Sequence, residues 1–371
     1  MGLTGFLGRW ALRRVHVLVV EVPGAAGVRM AVERELAARS WVPAVSPAEA
    51  DVLAVCGSPG PRMSAVVEAV WDQLPGPRTR VDVEAAAGVS AAFEAAAAAL
   101  LDTGAHRRDA ASRSAPWADT DGGGDEHGDE HGDDDDMDMH MDMPMPGGIG
   151  LAGGGDDRDG LEMDVLHLPL GPVLPHWPPG LVLTCTLQGD VVVHASAEVL
   201  EPVPDRGLPV TGDVRRDVVV ARCDAVARLL AVAGWDAVAA QARRVRDDAL
   251  DGAALAECAA GLDRLTRRVT RSRVLRWSLR GLRTAVRAPG RAGADTHPVD
   301  LPDRLRGWLE EALAAARAPE QDAGTGPDAV PPAALPGLVT GLDLAAVRLV
   351  VAGTDVVADL TASTAGEAGR A

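Results

Sequence analysis

The residues best suited to chemistry lie together in one acidic segment. Between positions 119 and 146 the chain carries twelve Asp or Glu residues and no Arg, interspersed with His and Met. Carboxylate, imidazole and thioether groups are all metal ligands, and this mixture suits nickel or copper. The segment therefore predicts metal capture by seven side chains: His127, His131, Met137, Met139, His140, Met141 and Met143.

The same segment can also be interpreted as a solvated linker that binds metals only weakly. Its Gly, Asp, His and Met residues bury too little apolar surface to offset the entropy of ordering the chain. No feature of the sequence preorganises a coordination geometry, so the metal is not specified. Residues 102–160 are predicted to be a disordered linker between two folded regions, and both interpretations stay open.

A basic segment lies further along the chain. Residues 264–291 contain ten Arg and no Asp or Glu. This segment could dock onto an acidic partner, an anionic lipid surface or the acidic segment of its own chain. The favoured alternative is a solvated helix face, because the chain has no Lys and uses Arg wherever it needs a cation.

Composition excludes several classes of protein. The net charge of −18 becomes −6 once the twelve acidic residues of 119–146 are set aside, and the chain lacks the basic footprint of a nucleic-acid-binding protein. The four Cys are scattered without a CxxC pair, which fits a reducing cytoplasm and gives no disulfide or zinc framework. No apolar run is long enough for a transmembrane helix, and the N-terminus lacks a signal-peptide pattern. We therefore expect a cytoplasmic protein.

Alternating strand and helix patterns predict an α/β fold for residues 1–101. Runs of Val, Leu and Ala indicate parallel strands buried on both faces, and the segments between them have helical spacing. This order favours a doubly wound parallel sheet, with strands at 15–22, 51–56 and 79–83 and helices at 28–39, 63–74 and 84–101. The pattern of residues 3–14 predicts a short amphipathic helix. This helix could rest on a membrane surface or a partner protein, or it could be a terminal helix packed on its own domain.

The second folded region, residues 161–371, is predicted to be α+β. Strand patterns surround a Gln188-Gly189-Asp190 turn, which is a hairpin signal. Residues 213–287 have helical spacing throughout, and 301–316 form another amphipathic helix. We therefore expect a β-hairpin and a helical bundle, with strands at 163–168, 181–187 and 191–195.

The loops of the α/β region carry no nucleotide-binding pattern and no activated nucleophile. Residues 23–27 and 57–61 follow strands, where open α/β sheets bind ligands, but their spacing fails the GxGxxG and Walker A patterns. Ser58 has no His or Asp nearby in the sequence, so it is predicted to be a turn residue. We assign no catalytic residue. Three histidines on strand runs are predicted to be hydrogen-bonded framework residues: His16, His167 and His194.

Four short motifs follow one another in the first region. They are an Arg- and Trp-containing foot at 7–14, the loop Gly24-Ala25-Ala26-Gly27-Val28, the strand Ala50-Asp51-Val52-Leu53-Ala54-Val55 and the turn Pro75-Gly76-Pro77. This order resembles the small (20 kDa-type) iron–sulfur subunit shared by respiratory complex I and the membrane-bound nickel–iron hydrogenases. That family has a Gly-Cys-Asn-Gly-Cys-type loop, an Ala-Asp-Val-Leu strand and a Pro-x-Pro turn.

The chain departs from that family at the cluster ligands. By the resemblance, the two loop cysteines fall on Ala25 and Val28, and a third ligand falls in Glu84-Ala85-Ala86-Ala87-Gly88. The fourth, which has a Cys-Pro-Pro context in the family, has no counterpart. A [4Fe–4S] cluster is held by four thiolates, so the resemblance implies a domain that has lost its cluster.

The second region opens on Leu170-Gly171-Pro172-Val173-Leu174-Pro175, followed by the predicted hairpin. This order resembles the start of the large (49 kDa-type) subunit of the same complexes, where a Gly-Pro-x-His-Pro segment precedes a hairpin with an x-Gly-Glu-Val turn. The family His falls on Leu174. The Cys-based nickel motifs of that family are absent, as is its Tyr-Leu-His-Arg-Gly run.

Together the resemblances imply a cluster-free subunit of a complex-I-like (NADH–quinone oxidoreductase-like) or hydrogenase-like membrane complex, with a structural or assembly role. Any redox activity would belong to its partner subunits, and the chain would lie peripherally on the inner face of the cell membrane. The competing hypothesis is a nickel- or copper-binding protein or metallochaperone that acts through the acidic segment. A third, an oxidoreductase with a bound organic cofactor, has no sequence pattern to support it.

Overall fold

The computed structural model describes residues 14–113, 153–156, 162–203, 208–209, 211–287, 296–319 and 330–356. The predicted helix at 3–14 lies outside these ranges except for its last residue. The acidic segment at 119–146, with all seven candidate metal ligands, also lies outside them.

The N-terminal region is a parallel sheet flanked by helices, as predicted. In chain order its elements are β1 (His16–Glu21), α1 (Ala26–Arg39), β2 (Val42–Pro43), β3 (Val52–Cys56), α2 (Pro61–Gln73), β4 (Thr79–Val83) and α3 (Val89–Ala99). The strands stand in the order β2-β1-β3-β4, and each neighbouring pair is parallel.

Side chains of the central strands alternate between two hydrophobic cores. Val17 and Ala54 pack in a core with α1 and α3, whereas Leu18 and Leu53 pack in a core with α2 on the opposite face. All five residues of β3 are buried. Burial on both faces explains why these strands appear in the sequence as continuous apolar runs.

The edge strand β2 is too short to give a sequence signal, and it covers only the start of β1. Its last residue pair with β1 is Val17 with Pro43, and the next contact is the Ala44 amide donating to the Val17 carbonyl at 2.8 Å. Within the described residues, the side of β1 that follows Val17 has no further strand partner.

A fourth helix, α4 (Thr103–Arg113), follows α3 and lies at the start of the segment predicted to be a linker. Asp109 of α4 pairs with Arg78 at 3.1 Å, and the Arg78 guanidinium stacks on the Trp71 ring at 4.1 Å. The helical structure of the first region therefore extends to Arg113, beyond the predicted boundary at 101.

The second region opens with an antiparallel sheet. Its strands, in spatial as well as chain order, are β5 (Gly153–Asp156), β6 (Glu162–Leu170), β7 (Leu181–Gln188) and β8 (Val191–Val199). The predicted hairpin is confirmed as β7–β8. Gly189 in its turn has a φ of 60°, in the left-handed region that glycine adopts at low cost.

Helices make up most of the remaining chain. The elements are α5 (Val214–Val232), α6 (Asp236–Leu250), α7 (Leu255–Arg271), α8 (Arg273–Ser278), β9 (Arg283–Arg287), β10 (Thr296–Asp300), α9 (Leu301–Arg317), α10 (Pro336–Val339) and α11 (Leu344–Ala352). Trp308 and Leu309 of α9 lie at the centre of the bundle core with Leu229 and Leu230 of α5.

The prediction of helix up to residue 287 was wrong at its end. Gly281 has a φ of 81°, and after Leu282 the chain forms β9, which pairs antiparallel with β10. Thr284, Ala285 and Val286 are buried in succession, and the Thr284 hydroxyl donates to the Gly353 carbonyl at 3.1 Å. This burial of consecutive residues suits a strand and overrides the helical spacing.

No single helix in the described part of the chain combines the length and apolar composition of a membrane span. Only the pair Ala86–Ala99 and Thr103–Arg113, bent by 77°, reaches that length and composition when the two are taken together.

Candidate functional site

The loop at residues 24–28, which the resemblance aligns with the family's cluster loop, is closely packed. Gly24 has a φ of 84°, and the Ala25 amide donates to the Val22 carbonyl at 3.0 Å, so the chain turns directly from β1 into α1. Ala25 and Ala26 are buried, and Val28 packs against both cores of the sheet. The two positions aligned with cluster ligands are therefore filled by apolar packing.

The neighbouring loop closes over the same spot. Gly57, at the end of β3, has a φ of 96°, and a β-carbon there would come within 2.7 Å of the Ala25 β-carbon. Its amide donates to the Val83 carbonyl at 2.8 Å. Gly57 is thus required both by its backbone conformation and by the close approach of Ala25. The third aligned position, Glu84-Ala85-Ala86-Ala87-Gly88, lies exposed after β4.

Cys56 is the thiol nearest to this loop along the sheet. The Cys56 carbonyl accepts from the Val22 amide at 3.0 Å, and the side chain is fully buried. Burial raises the pKa of the Cys56 thiol far above its ordinary value, and the Glu21 carboxylate raises it further. The thiol is therefore protonated at neutral pH, and only thiolates bind metals.

A buried network of ion pairs lies one residue beyond the second aligned position. The Arg29 guanidinium donates to Glu21 at 2.7 Å, to Glu33 at 2.6 Å and to Asp224 at 2.8 Å. Glu21 and Glu33 belong to β1 and α1, whereas Asp224 belongs to α5 in the second region. Arg29 therefore joins the two folded regions directly.

Arg246 of α6 completes the network from the other side. Its Nη1 donates to Glu33 at 2.6 Å and to Asp224 at 2.9 Å, and its Nε donates to Asp247 at 2.9 Å. Burial by itself raises the pKa of the Glu33 carboxyl, but Arg29 and Arg246 outweigh it and lower that pKa to about 2. Glu33 and Asp224 are each held between the guanidinium groups of Arg29 and Arg246, and both are ionised at neutral pH.

A second contact between the regions lies at the start of α2. The Glu201 carboxylate, just after β8, accepts from the Gly60 amide at 2.7 Å and from the Arg62 amide at 2.8 Å. A β-carbon on Gly60 would collide with this carboxylate. The helix N-terminus favours an anion, and here an internal carboxylate occupies it.

A cavity of about 380 Å³ lies between the two regions. One wall is β1, α1 and the segment 41–45, and the opposite wall is the turn between β6 and β7 together with α5 and α6. The wall is largely apolar, and Arg29, Glu33 and Arg246 of the ion-pair network also line it. Leu174, the position aligned with the family His, is a lining residue as well.

The other sequence-predicted residues stay apart from this site. The His16 amide donates to Asp51 at 2.8 Å, the His167 Nδ1 shares a hydrogen bond with the Thr186 hydroxyl at 3.1 Å, and His194 is exposed. Ser58 is exposed in its loop. The basic segment holds ten arginines: Arg264, Arg267, Arg268, Arg271, Arg273, Arg276, Arg280, Arg283, Arg287 and Arg291. The first nine are described and all are exposed, whereas Arg291 lies outside the described residues.

No group of three or more His, Cys, Asp or Glu side chains with metal-binding geometry occurs among the described residues. The seven candidate ligands of the acidic segment lie outside those residues, so the predicted nickel or copper site stays a prediction.

No protein-family model, curated protein or solved structure matches this chain.

The ion-pair network and the cavity were missed by sequence reasoning. One signal was present: Arg222 and Asp224 interrupt an otherwise apolar stretch of α5, and charged residues are rarely buried unless they are paired. The partner of Asp224 in α1, Arg29, and those of Arg222, which are Glu311 and Asp355, could not be identified, because nothing local connects residues so far apart in the chain.

Proposed function

We propose that this chain is a cluster-free relative of the small iron–sulfur subunit of complex I and the membrane-bound hydrogenases, joined to a degenerate large-subunit-like region. Its role is structural or assembly-related within a membrane redox complex. The observation that carries the proposal is the Arg29 network, because it lies beside the aligned cluster loop and binds the first region to the second. In this proposal, ion pairs and apolar packing stabilise the loop at 24–28, which the resemblance aligns with the loop that binds a cluster in the family.

Two further observations support the loss of electron transfer. The approach of Ala25 to Gly57 leaves the loop packed against its neighbour, with no thiolate beside it. The family His aligns with Leu174, an apolar side chain that can neither donate nor accept a proton. Redox chemistry in the proposed complex therefore belongs to partner subunits.

Tight docking of the two regions supports a structural role. Arg29, Arg246 and Asp224 are buried, and the Glu201 carboxylate adds a cap from the second region to a helix of the first. Buried ion pairs need precise geometry to offset their desolvation, so they favour one relative placement. A chain held in this way can present a fixed surface to other subunits.

The exposed end of the bundle supports contact with the inner face of a membrane. Val274 and Trp277 are each 76% exposed, and Arg273, Arg276 and Arg280 surround them in the sequence. Trp beside Arg suits the boundary between lipid headgroups and hydrocarbon, and the cations suit anionic headgroups. This surface, which we call the Arg–Trp surface, gives the basic segment its proposed use.

The cluster part of the proposal is tested on the full chain purified anaerobically. Iron and acid-labile sulfide are assayed, and EPR spectra are recorded after reduction. We expect neither metal nor sulfide in stoichiometric amounts. A stoichiometric [4Fe–4S] signal contradicts the proposal.

The subunit part is tested by native electrophoresis of membranes from cells that carry a tagged full-length chain. We expect the chain to migrate in an assembly well above its own mass of 38.3 kDa, together with membrane-embedded redox subunits identified by mass spectrometry. A chain that stays alone in the soluble fraction contradicts a structural role in such a complex.

A further inference from the structure

The cavity between the two regions lies where β1 is uncovered. The strand β2 ends at Pro43, and β1 residues from Val17 to Glu21 line the cavity beyond it. The turn that contains Leu174 and His176 closes the opposite wall. The volume of about 380 Å³ lies within the range of small-molecule sites in proteins.

Polar and apolar lining residues are separated along the cavity. The strand β1 presents Val17 first and Glu21 last, and α1 runs back with Arg29 near its start, Glu33 one turn further and Leu36 closer to its end. Because a helix that follows a parallel strand returns antiparallel to it, Glu21, Arg29 and Glu33 share one end. Their hydrogen bonds confirm this placement. The cavity therefore has a charged end and an apolar end.

Basic groups outnumber acidic groups on the lining. Five arginines and three carboxylates line the cavity: Arg29, Arg228, Arg243, Arg244, Arg246, Glu21, Glu33 and Asp247. The carboxylates are already engaged, because Arg29 binds Glu21 and Glu33 and the Arg246 Nε binds Asp247. Asp224, behind the lining, also pairs with Arg29, Arg228 and Arg246. An anion that enters the charged end is therefore met chiefly by Arg243 and Arg244.

Two lining side chains are accessible to a ligand, because His176 and Arg243 are both half-buried. The His176 ring makes no hydrogen bond within the described part of the chain. Arg243 is held loosely, with its Nε 3.9 Å from Glu33. Arg246 is fully buried, so it adds positive charge behind the lining and offers a ligand no accessible donor.

The surroundings of His176 keep its ring neutral. Burial first, and then the Arg243 charge, lower the pKa of His176 to about 4. The ring is therefore neutral at pH 7 and can donate one hydrogen bond to an oxygen without adding charge.

We propose that this cavity binds a small amphipathic carboxylic acid, with its carboxylate at Arg243 and His176 and its apolar body between β1 and the turn that contains Leu174. Guanidinium groups recognise carboxylates by paired, charge-assisted hydrogen bonds. The five residues of β1 that line the cavity span roughly 16 Å, which suits an unbranched acid of about twelve carbons. Neither the bound acid nor the cavity depends on the function proposed above.

The test uses the full chain and dodecanoate as the probe, measured by isothermal titration calorimetry below the micelle concentration. Three comparison ligands separate the contributions: 1-dodecanol lacks the charge, butyrate lacks the apolar body and dodecyl phosphate carries a different anion. We expect dodecanoate to bind one to one, and at least about tenfold more tightly than either dodecanol or butyrate. Dodecyl phosphate that binds more tightly than dodecanoate overturns the assignment to a carboxylate.

Variants locate the site. Leu174→Trp fills the cavity and should abolish binding, whereas Val193→Trp, on a strand face outside the cavity, should leave it unchanged. Arg243→Gln removes an accessible guanidinium and should weaken binding by about tenfold. Because Arg243 is half-buried and only 3.9 Å from Glu33 at its closest recorded contact, this variant leaves the buried ion pairs of Arg29 and Arg246 in place.

Three outcomes overturn the proposal. The first is equal affinity for dodecanoate and dodecanol, which removes anion recognition. The second is undiminished binding to a folded Leu174→Trp variant, which places the ligand elsewhere. The third is the absence of dodecanoate binding to the full chain. None of these results bears on whether the chain contains a cluster or joins a membrane complex.

Discussion

The side chains of Arg29 and Asp224 meet at 2.8 Å although they lie 195 residues apart in the chain. Arg29 belongs to the first turn of α1, and Asp224 belongs to the middle of α5. Both are almost fully buried, and each pairs with further members of the same network. This pair fixes the first region on the second, so we expect the two to unfold together.

The first prediction concerns the loss of a charge from that network. Asp224→Asn should lower the free energy of unfolding by about 3–5 kcal/mol, because Arg29 and Arg246 keep their charges in a buried place without the carboxylate. Urea denaturation followed by circular dichroism measures the loss.

The matched control is another Arg–Asp pair between the same two regions. Arg34 and Asp251 pair at 2.5 Å, but Asp251 is 67% exposed. Asp251→Asn should cost less than about 1 kcal/mol, since solvent screens exposed pairs. Equal losses for the two variants would show that the buried network contributes no more than a surface pair.

The second prediction concerns pH. The pKa of His176 is lowered from 6.5 to about 4 in the folded protein, first by burial. Between those values the unfolded chain binds a proton that the folded chain does not, so stability decreases as pH falls from about 6.5 to 4. The contribution of one such group is at most about 1.4 kcal/mol per pH unit.

His176→Gln removes this contribution, and the difference in unfolding free energy between the variant and the wild type should change only across that window. His194→Gln, on the exposed face of β8, is the control and should keep the wild-type slope. An unchanged slope in His176→Gln would mean that the ring titrates in the folded state as it does in the unfolded chain.

The third prediction concerns the cap on α2. Glu201→Gln keeps an oxygen near the Gly60 and Arg62 amides but removes the charge that favours a helix N-terminus. We expect a loss of about 1 kcal/mol in the free energy of unfolding. The control is Glu198→Gln, because the Glu198 carboxylate forms an exposed pair with Arg62 at 3.0 Å. This control should change the free energy of unfolding by only about a few tenths of a kcal/mol. Thermal unfolding of the two variants in parallel distinguishes them.

Local patterns determined how much of the fold could be predicted. The run from His16 to Glu21 and the run from Val52 to Cys56 are buried on both faces, so the sequence alone shows two core strands. The turn at Gly189 has a distinctive composition. These signals depend on neighbouring residues, and the predicted parallel sheet and hairpin are both confirmed.

Contacts between distant segments could not be predicted in the same way. Glu201 and Gly60 are 141 residues apart, and only the folded chain brings the carboxylate to the helix end. The cavity depends on a strand of two residues, Val42–Pro43, that leaves the rest of β1 uncovered. Strand β9 was missed because the buried packing of Thr284 outweighed the helical spacing of the residues that precede it.

The fourth prediction concerns the Arg–Trp surface. The double substitution Val274→Ser and Trp277→Ser should reduce cosedimentation with phosphatidylglycerol vesicles about fivefold, because the apolar side chains no longer enter the headgroup boundary. Phosphatidylcholine vesicles should bind the wild-type chain weakly, since the arginines need anionic lipid. Val193→Ser is the control, because Val193 is 41% exposed on a different element. Equal vesicle binding by the double variant would remove this surface from the proposed membrane contact.

The last prediction concerns the acidic segment and separates the two functions inferred from the sequence. Residues 119–146 hold the seven candidate ligands, and His, Met and carboxylate groups bind nickel and copper without a preformed site only at a cost in chain entropy. We therefore expect calorimetric titration of the full chain with nickel or copper to give weak binding that disappears when 119–146 is deleted. Replacing the three His by Gln and the Met residues by Leu in the full chain is the control that keeps length and acidic charge, and it should abolish the same signal. Tight, stoichiometric binding that survives the deletion would place a metal site in the folded regions and contradict both assignments of the segment.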